Sequence, residues 1–362
     1  MRPEPHTHDA RLTRRVGAGS ALLTAAAVLA ACGSATIQEL PPAAEPARGP
    51  ELTQPPAGTV LQVGGMPEGV VIDPRTHLAA VALRNPDRLR IMRLRRDGKG
   101  AAPGLVRDVP LPGAPRHLSL RSTPSGTQVL VPAETGRRAL AVDLPSGRVA
   151  AEFATGDHPH DLAAIAGSRI AVGDERGNTL TVADASGKVE RTISVATQPG
   201  GVTTLRGGSL IAVVSVRERV LEIFDAKTLE RRAVAPAGVG PTHVVCAPLG
   251  PCFVADTDGD ALLVFRVGEG GRTLRLSRRV YIAGAPYGIA IDPERGRLWV
   301  TLTARNELLE LGAHGRPHIL QRLPTVRQAD TVAVDTATGD VAVTGRRYGQ
   351  LQVLADPASA DR

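Results

Sequence analysis

Short apolar strands alternate with turn residues along most of the chain, and the alternation repeats. The sixth copy shows the unit best: GIAID, RLWVTL, ELLEL and HILQRL are separated by turns at 293–296, 305–306 and 314–315. Alternating apolar and polar positions, bounded by Gly, Asn, Asp or Ser, are typical of strands joined by tight hairpins. Each copy therefore predicts four short antiparallel strands.

A phrase in which Gly and Pro precede an apolar strand marks the start of each copy. The degenerate seventh copy has Ala329 at the equivalent position, and the other six keep the proline: Pro67, Pro115, Pro159, Pro199, Pro241 and Pro286. Successive copies are 40 to 48 residues apart, which is the length of one four-stranded propeller blade. The pattern predicts an all-β fold, a seven-bladed β-propeller of four-stranded blades over residues 58–356.

The seventh copy is one strand short. After TVAVD, DVAVT and QLQVL the chain reaches Asp356, and residues 357–362 form a C-terminal tail. The segment GTVLQV, residues 58–63, precedes the first Gly-Pro phrase as an outer strand precedes its loop elsewhere. We therefore expect this N-terminal strand to complete the last blade and close the ring, because closure removes exposed sheet edges.

The phrase GAPYGIAIDPERGRLWVT, residues 284–301, carries a family resemblance. With the repeat covering residues 58–356, the sequence resembles the YncE-like (YVTN) family of bacterial β-propellers. The family's pattern of a loop, Pro, Gly, apolar residues and Asp-Pro is kept best in the first and sixth copies, and the fourth and seventh depart from it. The resemblance implies a propeller of a mostly non-enzymatic or uncharacterised kind, so it supports the fold more than the function.

The first 31 residues have the composition of an export signal. Arg11, Arg14 and Arg15 precede an apolar stretch at 18–31 that is too short and too rich in Ala to favour a permanent membrane span. Its end, LAACG, resembles the lipobox of bacterial lipoproteins, in which the cysteine, here Cys32, is acylated. We expect a signal peptide at 1–31 and a protein lipid-anchored to the outer face of the bacterial cytoplasmic membrane. An ordinary cleaved signal is the alternative, and the export route stays open.

Residues 32–57 are rich in Pro and Ala without apolar periodicity, which predicts a tether between anchor and propeller.

Two cysteines remain outside the predicted signal and anchor. Cys246 and Cys252 stand on either side of a tight turn, in a compartment that permits disulfides. They are either bridged or buried as free thiols.

The low aromatic content and the predicted export argue against nucleic acid as a partner, whereas the modest net charge indicates a solvated surface or, alternatively, one that attracts anionic lipid or cell-wall polymers. Outside the signal the chain has 39 basic and 34 acidic residues, and its arginines are scattered through turns, as on a solvated surface. There are one Trp, three Tyr and four Phe in all, too few to build the stacking platforms that bind sugars or single strands.

The two residues after each repeated proline are predicted to ring one mouth of the central channel, because the innermost strand of a blade follows the inter-blade loop. The members of this ring with side chains able to bind a ligand are Glu68, Arg116, His117, His160, Asp161, His243, Tyr287 and Asp330. Such imidazoles and carboxylates have the chemistry to coordinate a divalent metal, or to hold an anion beside Arg116. The alternative is a ring of solvated polar loops.

We expect an interaction scaffold, without a cofactor, that uses the mouth or the blade edges to bind a protein, a peptide or a small ligand. The alternative is a metal-dependent propeller enzyme of the lactonase or lyase type. Such enzymes bring several carboxylate and amide ligands to one ion, whereas this ring offers Glu68, Asp161 and Asp330 but no Asn. No G-x-S-x-G motif is present, and we predict no catalytic residue.

Overall fold

The computed structural model describes residues 40–95 and 102–357, which form 28 β-strands and two short 3₁₀ turns. The predicted signal and Cys32 lie outside the described residues. The strands form seven four-stranded antiparallel sheets arranged in a ring. The predicted seven-bladed β-propeller is therefore confirmed. Within the described ranges no helix is long and apolar enough to cross a membrane.

The strands are numbered along the chain, beginning with β1 (Thr59–Gln62). Blade 1 contains β2 (Met66–Ile72), β3 (Leu78–Arg84), β4 (Arg88–Arg93) and β5 (Gly104–Pro110). Blade 2 contains β6 (Ser119–Thr123), β7 (Gly126–Ala133), β8 (Arg138–Asp143) and β9 (Val149–Ala154). Blade 3 contains β10 (Pro159–Ile165), β11 (Arg169–Asp174), β12 (Thr179–Ala183) and β13 (Val189–Ser194).

The remaining blades follow the same plan. Blade 4 contains β14 (Pro199–Leu205), β15 (Leu210–Ser215), β16 (Val220–Asp225) and β17 (Arg231–Pro236). Blade 5 contains β18 (Pro241–Cys246), β19 (Cys252–Asp256), β20 (Ala261–Val267) and β21 (Leu274–Tyr281). Blade 6 contains β22 (Pro286–Asp292), β23 (Arg297–Leu302), β24 (Glu307–Gly312) and β25 (His318–Pro324). Blade 7 contains β26 (Ala329–Val334), β27 (Val341–Gly345), β28 (Gln350–Leu354) and β1.

The ring closes through β1, as the sequence predicts. This strand pairs antiparallel with β28 and is the outermost strand of blade 7, in register from Thr59 opposite Val353 to Gln62 opposite Gln350. The amide of Val63 continues the contact by donating to the carbonyl of Gly349 at 2.8 Å. The last blade is thus built from both ends of the propeller.

The core consists of seven aliphatic layers, each packed mainly between neighbouring blades. The layer between blades 2 and 3, for example, contains Leu130, Phe153, Leu162 and Ile170. Because side chains alternate between the two faces of a strand, and both faces of each blade are covered, an inner strand such as β3 is buried along most of its length. The two cysteines of blade 5 face each other across β18 and β19 and are joined as a disulfide.

The start of each innermost strand positions the mouth residues. In six blades the β-ladder is interrupted directly after the repeated Pro, or after Ala329. Such bulges re-aim side chains at strand ends. Blade 2 differs, because β6 begins only at Ser119 and the Arg116 and His117 amides donate to the carbonyls of Pro132 and His160, both at 3.3 Å.

Candidate functional site

The predicted ring lies at one end of the channel, on the face that carries the inter-blade loops, here called the mouth face. Residues directly after the repeated Pro line a small cavity at the mouth: Arg116, His160, Gly200, Thr242 and Tyr287. The second residues line a deeper channel cavity of about 260 Å³: Gly69, His117, Asp161, His243, Gly288 and Thr331. Gly69 occupies this second position because a Cβ there would lie 2.4 Å from the carbonyl oxygen of Arg116 in the next blade.

Two histidines from blades 2 and 5 meet across the channel. The Nε2 atoms of His117 and His243 are 2.9 Å apart, so one ring donates a hydrogen bond to the other. His160 packs 5.0 Å from the His117 ring and Tyr287 packs 4.5 Å from the His243 ring, measured between centroids. The predicted proximity of His117, His160 and His243 is therefore present, and His243 lines both the mouth cavity and the channel cavity.

The histidine pair is neutral at physiological pH. Burial, reinforced by the neighbouring His243, His160 and Arg116, lowers the pKa of His117 well below its usual range. Burial lowers the pKa of His243 to about 3, with a further contribution from His160 and Arg116. A hydrogen bond between two imidazole nitrogens needs one protonated and one free nitrogen, which two neutral rings supply.

Glu68 is a buried carboxylate surrounded by three arginines. Its side chain is 3 % exposed and accepts a hydrogen bond from Arg116 at 3.0 Å. Arg346 of blade 7 approaches it at 3.1 Å, and Arg84 of blade 1 approaches it at 3.6 Å. One buried carboxylate therefore holds together arginines from blades 1, 2 and 7.

His160 is placed between two carboxylates that the sequence analysis missed. Its Nδ1 lies 3.2 Å from Glu175 and 3.6 Å from Glu134. Burial and Arg116 would lower the pKa of His160, but the two glutamates raise it. Burial would raise the pKa of each glutamate, but His160 and the nearby arginines lower both to about 2. The two glutamates therefore favour the imidazolium form of His160 within this ion-pair network.

Glu134, His160 and Glu175 offer ligand atoms within 4.8 Å of one another, the spacing of a possible metal site among the described residues. Both carboxylates already have other partners, which are arginines for Glu134 and an amide for Glu175. Glu134 accepts from Arg84 and lies 3.5 Å from Arg116, while Glu175 accepts from Gln198 at 2.8 Å. Guanidinium groups at these distances oppose a divalent ion, so the donor set fits an internal salt-bridge network better than a metal.

Asp161 and Asp330 occupy different environments. Asp161 accepts hydrogen bonds from the amides of Leu162 and Val202, both at 2.8 Å, and burial raises its pKa to about 6. Burial raises the pKa of Asp330 to about 7, although Gln328 donates to its Oδ1 at 3.1 Å. Its other oxygen has no hydrogen-bond partner in the described part of the chain. Asp330 is thus a buried carboxyl that changes its charge near pH 7.

Residues 40–51, here called the strap, lie over the mouth face without forming a strand. At the blade 4 end, Arg217 donates to the carbonyls of Leu40 and Pro41 at 2.9 and 3.1 Å. Near blade 7, Gln328 donates to Ala47 and accepts from the amide of Gly49, both at 2.8 Å. The expected tether thus contacts the propeller over this part, which the Pro and Ala composition did not predict.

The middle of the strap covers the mouth cavity. Ala44 is 8 % exposed, and Ala44 and Glu45 line the same cavity as His160, Arg116 and the ring of Tyr287. Side chains of the propeller, rather than a β-ladder, hold the strap by its backbone groups. The mouth face thus contacts this extended segment mainly through the segment's backbone, although Arg327 also pairs with the side chain of Glu51.

The comparisons with known proteins concern the fold alone. No family model and no curated protein matches this chain. The Cps50 (Swd1) β-propeller domain of Myceliophteria thermophila is 13% identical, with 82% of this chain and 99% of that one covered and a TM-score of 0.67. A chain of a Mitotic Checkpoint Complex structure is 12% identical, with 88% and 99% covered and a TM-score of 0.68. The Kuenenia stuttgartiensis Hydrazine Synthase is 14% identical, with 85% of this chain and 98% of that one covered and a TM-score of 0.63.

Proposed function

We propose that this protein is a membrane-tethered, extracytoplasmic interaction scaffold that holds an extended segment of a partner protein across its channel mouth. One observation carries the proposal: a segment of the chain itself already lies there, bound through its backbone carbonyls by Arg217 and Gln328. Recognition through the backbone suits a Pro-rich or otherwise extended peptide, whose carbonyls are unpaired and whose conformation is largely preformed.

The fold supports a protein partner in a general way. One structurally similar chain belongs to a Mitotic Checkpoint Complex, a named protein assembly. At this level of identity the likeness shows the fold and not the partner. Membership of the YncE-like family, the lipid anchor at Cys32 and the extracytoplasmic location remain predictions from sequence.

A peptide added in trans tests the binding mode. The probe is the strap sequence LPPAAEPARGPE, titrated into a chain from which residues 40–51 have been removed. We expect saturable binding, and weaker binding to the intact chain, because the intact strap competes for the same place. Gln328→Ala should weaken the complex roughly tenfold by removing two hydrogen bonds.

The matched control for that experiment is Gln62→Ala, which removes an exposed glutamine from β1, outside the mouth. This variant should bind the peptide as the strap-deleted chain does. No binding to the strap-deleted chain, or equal loss in both glutamine variants, would contradict the proposal.

The anchor needs its own test. Mass spectrometry of the mature protein from membranes should find Cys32 as an acylated N-terminus, and Cys32→Ala should release the protein from the membrane fraction. A mature chain that begins elsewhere and is soluble after lysis would contradict a lipoprotein.

The enzyme alternative rests on Glu134, His160 and Glu175. We expect Zn²⁺ or Mn²⁺ to leave the melting temperature unchanged, because Arg84 and Arg116 already neutralise this cluster. If either ion raised the melting temperature of the wild type but not that of Glu175→Gln, the hypothesis of a metal-dependent enzyme would be favoured instead.

A further inference from the structure

The outer edge of blade 5 carries a concentration of unpaired positive charge. The segment 261–281, which contains β20 and β21, has five arginines and one glutamate. Of these arginines Arg279 is paired with the buried Asp256, at 3.3 Å. The other four are exposed and have no carboxylate within ion-pair distance among the described residues: Arg266, Arg272, Arg275 and Arg278.

The register of the two strands places three of these side chains together. Arg266 lies directly opposite Arg275, and Arg278 lies opposite Val264, two residues along the same face. Directly opposed like charges destabilise an antiparallel pair. A charged side chain on an edge strand discourages pairing with a strand of another molecule. One arginine would be enough for that purpose, so it does not explain a second arginine directly opposite the first. The arrangement therefore indicates an external anion.

Two large side chains of the same edge strand are also exposed, on the opposite face of the sheet from Arg266, Arg275 and Arg278, because they pair with Phe265 and Ala261. Leu276 is 48% exposed and Tyr281 is 71% exposed, both on β21. An edge strand that exposes arginine on one face and tyrosine and leucine on the other is suited to lie edge-on at the headgroup level of a bilayer, where side chains of both faces reach the interface. An acidic protein would complement the charge but would leave these two side chains without an apolar neighbour.

The strap limits how far this edge can lie from a membrane. It is bound to blade 4 at Leu40 by Arg217, and blade 4 adjoins blade 5. Only seven residues lie between Cys32 and Leu40, and the eight Cα-to-Cα steps from one to the other span at most about 28 Å when fully extended. With an acyl anchor at Cys32, this side of the propeller would be held close to the bilayer.

We propose that the edge formed by Arg266, Arg275, Arg278, Leu276 and Tyr281 binds the anionic headgroups of a phospholipid membrane. The proposal rests on the proposed anchor for its orientation, but its chemistry resides in this edge alone. The propeller would then stand with blade 5 against the bilayer, fixing the direction in which the mouth opens.

Vesicle binding tests the edge separately from the anchor. The full chain with Cys32→Ala, which cannot be acylated, is sedimented with phosphatidylcholine vesicles that contain or lack phosphatidylglycerol. We expect binding only to the anionic vesicles, lost at high salt. Arg266→Gln, Arg275→Gln and Arg278→Gln combined should lower the partition coefficient roughly 100-fold, since each arginine near such a surface contributes about fivefold.

The matched control removes the same charge elsewhere. Arg75, Arg107 and Arg176 are exposed arginines of blades 1 and 3 without ion pairs of their own in the described part of the chain, and their combined change to Gln should alter binding by no more than about twofold. Equal loss in both triple variants, or no preference for anionic vesicles, overturns the proposal. Binding of poly-L-glutamate but not of vesicles overturns it in favour of an acidic protein. Acylation at Cys32 is measured independently, so an acylated protein that fails here leaves the scaffold proposal intact.

Discussion

The closing strand and the strap belong to one N-terminal segment, yet they contact the propeller by different means. β1 contributes a complete ladder with β28 and precedes Val63, which is 1 % exposed in the core between blades 1 and 7. The strap has no ladder, and Ala44 and Gly49 are its buried residues. It is held by side chains that reach its backbone. β1 is therefore part of the fold, whereas the strap lies on the fold in the way that we propose for a partner segment.

Removing β1 should have the largest effect. Without residues 58–63 blade 7 keeps three strands, the ring loses its closure and a hydrophobic edge is exposed. We expect the domain to unfold or aggregate, a loss comparable to the whole stability of about 5–15 kcal/mol. Thermal melting and sedimentation measure this, with deletion of residues 40–51 as the control. Unchanged melting of the variant without β1 would contradict ring closure.

Neutralising Glu68 should cause the second-largest loss of stability. Glu68→Gln leaves Arg116, Arg346 and Arg84 without their shared carboxylate, at a cost of about 3 kcal/mol. If the strap is an occupant rather than part of the fold, the cost should be the same with and without it, as measured by denaturant unfolding.

Its control is Glu307→Gln, which breaks an exposed pair with Arg322 and should cost less than about 1 kcal/mol. If Glu68→Gln lowered the free energy of unfolding by no more than Glu307→Gln, Glu68 and its three arginines would not be important for stability.

Asp330 should make stability depend on pH. Its pKa is about 7 in the folded chain against an ordinary 3.8. Between these values the folded chain keeps a proton that the unfolded chain has lost, so stability falls as pH rises from about 4 to about 7. Asp330→Asn should remove this fall, gaining as much as about 4 kcal/mol above neutral pH.

Deleting the strap should lower the pKa of Asp330, because it frees Gln328 and hydrates the mouth. The pH profiles of melting temperature for the intact and strap-deleted chains measure this. Identical profiles for wild type and Asp330→Asn would contradict a buried carboxyl at this position.

Loosening the strap should have the smallest effect on global stability. Arg217→Ala removes two hydrogen bonds to Leu40 and Pro41 and should cost less than about 1 kcal/mol of unfolding free energy. Arg191→Ala, which removes one exposed bond to the carbonyl of Thr228, is the matched control. Only Arg217→Ala should increase proteolysis within the strap. Equal proteolysis of both variants would argue that Arg217 does not hold it.

The sequence predicted the ring because one constraint repeats in every blade. Each innermost strand must begin after a loop that a proline restricts, so the copies remain recognisable even where Ala329 replaces the proline. The same alignment brought together His117, His160 and His243, because equivalent positions of a ring lie around one axis. The late start of β6 was not predictable, since it depends on bonds to Pro132 and His160 in other strands.

The two glutamates beside His160 were not predicted, for a different reason. Glu134 and Glu175 follow the second strand of their blades, and only the start of the first strand was compared between copies. Comparing the ends of the second strands would have brought Glu134 and Glu175 together with Arg84 and Arg346, which hold the equivalent position in blades 1 and 7. The strap could not be found this way, because most of its contacts are made by backbone groups, which any extended sequence supplies.

Hydrogen exchange of the intact chain tests the central distinction most directly. The amide of Val63 donates to Gly349 within the fold, and the amide of Gly49 donates to Gln328 within the strap. We expect Val63 to exchange only with global unfolding, and Gly49 to exchange at least about 1,000-fold faster, through local release of the strap. Equal protection of the two amides would show that the strap is an integral part of the propeller, and would contradict a mouth that is open to a partner.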